Sequence, residues 1–209
     1  MISPNDHVLF FGDSITDCGR NRDAAPGDPS GWGNGYVHQL AARLSADLAH
    51  YDLTFSNKGI SGNRVTDLEN RLESDVLALQ PNLVSILIGI NDTWRRYDRD
   101  IVSPTAEFAA SYRRILERLT SQDREIVILE PFLLPVPDDR RAWREDLNPK
   151  IDAIRDLARE FETTFVPLDG IFAAASTRRE SGFWLPDGVH PSPAGHALIA
   201  EAWLQSVIG

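Results

Sequence analysis

Short apolar runs alternate with longer stretches in which apolar residues recur every three or four positions. Val8, Leu9, Phe10 and Phe11 form the first run, which stops at Gly12. An uninterrupted apolar run of this length predicts a strand buried on both faces. Tyr36, Val37, Leu40, Leu44 and Leu48 then follow at helical spacing. Residues 53–56 read as a second strand. Thr66, Asp67, Leu68 and Glu69 have the form of a capping box, in which a hydroxyl and a carboxylate satisfy free N–H groups at a helix start. Leu68, Leu72, Val76 and Leu79 continue that helix. Residues 83–88 are the most continuous apolar run and the third strand. Ser103 and Pro104 make a good cap and first-turn pair ahead of Phe108, Tyr112, Ile115, Leu116 and Leu119 on one helical face. Residues 126–129 read as strand four, Leu147, Ile151, Ile154, Leu157 and Phe161 as the next helix, and residues 165–168 as strand five. Ser192 and Pro193 start a last helix carrying Leu198, Ile199, Ala202 and Trp203.

Strands that alternate with helices imply a parallel sheet covered on both faces. Five such strands predict a three-layer α/β/α sandwich with a five-stranded parallel sheet in flavodoxin-like order. The 209 residues suit one domain spanning residues 1–209. In open sheets of this kind ligands bind outside the carboxyl ends of the strands.

Composition narrows the partners. Hydrophobic residues make up 42%, enough for a substantial core. The formal net charge of −10 disfavours a nucleic-acid partner and an anionic membrane, since both need a basic surface. The single cysteine, Cys18, excludes an intramolecular disulfide and a cysteine cluster for zinc. The chain start lacks a basic segment followed by a long apolar stretch, so the expectation is a cytoplasmic protein without a membrane span.

Candidate chemistry gathers after the strands. Strand one runs into Gly12, Asp13, Ser14, Ile15, Thr16 and Asp17; strand two into the stretch from Asn57 to Asn63; strand three into Gly89, Ile90, Asn91 and Asp92. Asp187, Gly188, Val189 and His190 precede the last helix. A serine is a poor nucleophile without a base in hydrogen-bond reach, and the base needs an orienting partner. Ser14, at a turn on the sheet edge, can lose its proton to His190, and Asp187, three residues earlier, can hold the imidazole. Attack on an ester builds an oxyanion that needs fixed donors. The backbone N–H groups of Ser14 and Gly62 and the side-chain amide of Asn91 can supply them. Each motif alone has a plain structural reading as a turn, a cap or a glycine of positive φ. The joint occurrence after the right strands points to catalysis.

These four blocks resemble those of the SGNH hydrolases, the Gly-Asp-Ser-Leu-type esterases, with Ile15 in the place of leucine, and the resemblance spans nearly the whole chain. It implies Ser14 as nucleophile, Gly62 and Asn91 beside the Ser14 amide as oxyanion donors, and Asp187 and His190 as the rest of the triad. The stretches 12–20, 57–63 and 89–98 are similar to those of intracellular acetyl-xylooligosaccharide esterases. That narrower resemblance implies removal of acetyl groups from short xylan fragments, and a homo-oligomer. It requires no cofactor and no metal.

The candidate substrate-binding residues are Asp13, Trp94, Arg95, Tyr97 and Trp184. Aromatic rings can stack on sugar faces and arginine can donate to hydroxyls, although such aromatics also close cores and oligomer contacts. Segment 132–146 reads as a wall of the cleft or a subunit contact, with its charged run solvated, and Cys18 reads as a packing residue. Other readings remain open at this point: a general short-chain esterase, lipase or thioesterase; a metal-dependent hydrolase or phosphatase using Asp13, Asp17, Asp92, Asp187 and His190; and a non-catalytic carbohydrate-binding protein.

Overall fold

A computed structural model describes residues 2–122 and 124–209. Five strands form one parallel sheet: β1 (His7–Gly12), β2 (Thr54–Gly59), β3 (Leu83–Leu87), β4 (Glu125–Leu129) and β5 (Thr164–Val166). Their spatial order is β2-β1-β3-β4-β5, the flavodoxin-like arrangement. The order reverses after β1, which pairs with β2 on one side and β3 on the other. In sheets of this kind such a reversal marks the place where ligands bind, outside the carboxyl ends of the strands.

Apolar runs without alternation occur because both faces of the sheet are covered. Val8 and Phe10 of β1 lie in one core with Leu83, Leu87, Val127, Leu129 and Val166. Helices α2 (Tyr36–Asp47) and α9 (Pro193–Val207) supply Tyr36, Val37, Leu40, Leu44, Ile199 and Trp203 to it. Leu9 and Phe11 point the other way, into a second core with Val84, Ile86, Ile126 and Ile128. That core is closed by α3 (Val65–Asp75), α5 (Thr105–Thr120) and α6 (Arg144–Glu160). The three-layer expectation holds.

Several boundaries differ from the pattern reading. Thr66 lies inside α3 rather than at its cap. Arg64 is the cap residue, and its backbone N–H donates to Asp67 at 2.8 Å. The next N–H, of Val65, donates at 3.0 Å to Asp92, a carboxylate from a distant segment that local sequence cannot reveal. Pro104, not Ser103, precedes α5, and the Ser103 hydroxyl donates to Asp92 instead. β5 ends at Val166, and Leu168 opens α7 (Leu168–Ser176). Leu79 lies in a separate 3₁₀ turn after α3. Helices α1 (Ser14–Asp17), α4 (Ile90–Arg99) and α8 (Ser181–Trp184) carry no apolar stripe of usable length and were not expected.

Candidate active site

Ser14 is the first residue of α1, a single helical turn at the end of β1. Asp13 caps this turn by accepting from the Ile15 N–H at 3.0 Å. Cys18 closes it in the left-handed conformation, its N–H donating to the Ser14 carbonyl at 3.0 Å. The turn lies directly against the end of β2. A Cβ on Gly59 would stand 2.1 Å from the Asp17 nitrogen, so only glycine permits this approach.

The Ser14 hydroxyl lies 3.0 Å from His190 Nε2, although 176 residues separate the two. His190 Nδ1 lies 2.6 Å from Asp187 Oδ2. A carboxylate at Nδ1 places the ring proton there and leaves the Nε2 lone pair for the serine. The other Asp187 oxygen accepts from the N–H groups of Val189, at 3.0 Å, and His190, at 2.7 Å, which folds the loop around the carboxylate. Burial alone would raise the Asp187 pKa; the hydrogen bonds from the His190 ring and these two amides outweigh it and hold it at about 2. The same bond to Asp187 raises His190 above its ordinary value.

Gly62 sits in an exposed turn with φ +85°, a conformation that disfavours other residues. That turn is tied to α1 through Asp17, which accepts from the Ser61 N–H and hydroxyl, each at 3.1 Å, and pairs with Arg22. β3 ends at Leu87, Gly89 caps α4, and Asn91 is buried as the second residue of that helix. Its amide nitrogen donates to Asp13 Oδ2 at 3.2 Å and to the Asn63 carbonyl at 3.1 Å. Both are long bonds, and donation to a substrate oxygen requires one of them to be shared or released.

Residues 10–198 match the GDSL-like Lipase/Acylhydrolase family. An acetylxylan esterase from Geobacillus stearothermophilus is 34% identical over 210 residues, covering 99% of this chain and 95% of that protein. The chain belongs to the GDSL-like lipase/acylhydrolase family. It is a carboxylic ester hydrolase with an ester as substrate. A protein from Parabacteroides merdae provisionally named a GDSL-like lipase superposes with a TM-score of 0.94 at 34% identity, covering 99% of this chain and 97% of that one. The G. stearothermophilus acetylxylan esterase superposes with a TM-score of 0.89 at 34% identity, covering 98% and 95%. Solved catalytic mutants of that enzyme replace a serine, a histidine and an aspartate by alanine.

Within this GDSL-like hydrolase the flanking residues divide sharply. Trp94 is half-buried, its ring centroid 5.7 Å from that of His190. Asp13 is fully buried, with its oxygens accepting from the Ile15 N–H and the Asn91 amide. Burial pushes its pKa up to about 7, against the Ile15 N–H bond and the nearby His190. Tyr97 is half-buried and held by its neighbours. Its ring stacks on Trp143, with centroids 5.1 Å apart, and its hydroxyl donates to the Ala142 carbonyl at 2.8 Å. Arg95 donates to Asp98 at 2.6 Å and, at 3.4 Å, to the Asn91 side-chain oxygen, which backs the amide. Trp184 packs on Phe183 and beneath Arg178 in α8.

Segment 132–146 forms a wall beside His190. Leu134 donates its N–H to the Gly188 carbonyl at 2.9 Å, and Trp143 is buried against Trp94 with centroids 5.4 Å apart. The pattern reading includes Trp143 in this segment but does not single out Arg140, which belongs to no periodic stripe.

The carboxylates weighed as metal ligands do not converge. Asp17 serves the Ser61 turn and Arg22, Asp92 caps α3, and Asp13 is committed to Ile15 and Asn91. Among the described residues no three acidic, histidine or cysteine side chains are grouped to hold an ion. Cys18 lies 3.5 Å from His196 Nε2, and burial raises the pKa of its thiol. Among the described residues no helix is long and apolar enough to cross a membrane.

Proposed function

We propose that this hydrolase is a serine esterase that removes acetyl groups from acetylated xylo-oligosaccharides or related sugars, through the triad Ser14, His190 and Asp187 and an acyl-enzyme. The observation that carries the reading is the continuous hydrogen-bonded chain from Ser14 Oγ through both ring nitrogens of His190 to Asp187. Ser14 Oγ attacks the ester carbon while His190 Nε2 takes its proton. Asp187 keeps the other ring proton in place and stabilises the imidazolium. The N–H groups of Ser14 and Gly62 and the Asn91 amide receive the oxyanion. Collapse expels the sugar hydroxyl, which leaves with the proton held by His190. Water then attacks the acyl-serine, again deprotonated by His190, and acetate departs.

Sequence identity to an acetylxylan esterase over nearly the whole chain supports the acetyl-sugar substrate. The half-buried Trp94 beside His190 suits a sugar face. Acetate release from acetylated xylo-oligosaccharides, measured beside a series of 4-nitrophenyl esters of increasing acyl length, tests the substrate class. Preference for long acyl chains would replace it by a general esterase or thioesterase. Ser14→Ala is expected to abolish ester turnover with an unchanged melting temperature. Full turnover in that variant rejects the nucleophile.

A further inference from the structure

Arg140 occupies an unusual position. Its guanidinium lies 3.8 Å from the centroid of the Trp143 ring and 5.2 Å from that of Trp94. Trp94 in turn faces His190, so one aromatic ring separates the guanidinium from the catalytic imidazole. In a chain of net charge −10, where most arginines are tied to carboxylates, Arg140 forms no ion pair among the described residues. Its Nε is buried and has no hydrogen-bond partner. Arg140 as a whole is half-buried, but a donor nitrogen shut off from water without a partner is costly and calls for an acceptor. The group borders a recess of about 300 Å³ lined by Leu133, Pro135, Arg140, Arg141 and Arg144. Arg144 is committed to Asp169 at 2.7 Å. Arg141 meets only Asp138, at 3.7 Å with both side chains largely exposed, a contact that water screens. The Arg140 Cζ lies over the Trp143 ring, which holds the guanidinium in place, and a guanidinium fork is the group that recognises a carboxylate.

We infer that the recess beside Arg140 is a subsite for a carboxylate carried by the substrate, as on a uronic-acid branch of an acetylated oligosaccharide. Trp94 bridges it to the catalytic centre. The inference rests on the acetyl-sugar reading for the rest of the substrate. Of the five residues lining the recess three are arginines, and Arg140 is the one without a carboxylate partner among the described residues, which favours an anionic group there. A neutral oligosaccharide would leave that preference unused.

The test compares two substrates: a mono-acetylated xylo-oligosaccharide with one glucuronic-acid branch, and the same oligosaccharide without it. Acetate release gives kcat/KM for each in the wild type, Arg140→Ala, Arg140→Lys and Arg99→Ala, the last a charge removed from the exposed end of α4. The wild type is expected to favour the acidic substrate through a lower KM, and the preference should shrink at high salt. Arg140→Ala is expected to lower the acidic-to-neutral ratio about ten-fold, the scale of one charged hydrogen bond. Arg140→Lys should lower it less, and Arg99→Ala should leave it in place. Equal ratios in the wild type and Arg140→Ala overturn the inference, as does an equal fall in Arg99→Ala. If Arg140→Ala does not fold, Arg140→Lys carries the same ratio test with the aliphatic stem retained. If neither sugar is deacetylated while 4-nitrophenyl acetate is hydrolysed, the acetyl-sugar reading fails by itself. The subsite is then judged by inhibition of 4-nitrophenyl acetate hydrolysis: an acidic oligosaccharide that inhibits no better than its neutral counterpart overturns it.

Discussion

At the scale of single residues, two groups lend themselves to kinetic test. Asp187 at Nδ1 raises the His190 pKa above 6.5. A raised value keeps the imidazole protonated to higher pH, and a protonated Nε2 cannot accept from Ser14. Activity should therefore be present at alkaline pH and fall as pH drops, with the midpoint of the acidic limb above 6.5. A pH–rate profile with 4-nitrophenyl acetate measures this, and Asp187→Asn should both slow the reaction and shift the limb downward. A limb centred below 6.5 would contradict the pairing. Asn91→Ala is expected to lower kcat by about 10²–10³-fold, the usual effect of losing one oxyanion donor. Steady-state kinetics at saturating ester would show it, and an unchanged kcat would remove Asn91 from that role. The sequence was informative here because serine, histidine and asparagine were named by motif and chemistry. It did not report that Asp13 is buried, since burial belongs to the environment of a side chain and not to its type.

At the scale of elements, α1 depends on how closely it can approach β2. Gly59→Ala would drive a Cβ into the Asp17 backbone, 2.1 Å from its nitrogen and 2.7 Å from its Cα. Neither strand nor turn can yield without moving Ser14. The variant is expected to lose about 1–3 kcal/mol of stability by overpacking, read as a lower urea midpoint, together with a lower kcat. A midpoint equal to wild type would show that the turn has room to shift. The long elements were legible: β1, β3, β4, α2, α5, α6 and α9 each carry a run or stripe that reports its period. The first turn of α4 was not. Its buried residues include Asn91, Asp92 and Thr93; Asp92 accepts from Val65 and Ser103 and Asn91 donates to Asp13 and Asn63, all distant in sequence. A helix buried through polar contacts leaves no hydrophobic period to read.

At the scale of the whole molecule, two cores hold the sheet between helical layers, and Trp203 anchors one of them. Its ring is fully buried, packs 6.0 Å from Phe10, and donates its Nε1–H to the Ser85 hydroxyl at 3.0 Å. Trp203→Ala removes that packing and leaves a buried hydroxyl unpaired. A loss of about 3–5 kcal/mol is expected, measured by chemical denaturation. A loss below about 1 kcal/mol would mean that the core collapses into the space.

The amino-acid sequence determined the architecture and the candidate chemistry of this hydrolase. Hydrophobic period is a local property, and so is the order of the motifs that follow the strands. The tertiary structure alone decided the distances. Strand order β2-β1-β3 sets the ends of three strands side by side and carries the loop before α9 back across them, which brings His190 onto Ser14. It also turned Asp13 inward, committed Tyr97 to Trp143 and left Arg140 unpaired beside Trp94. Those outcomes depend on which surfaces meet when elements pack, and no single stretch of sequence carries both sides of such a contact.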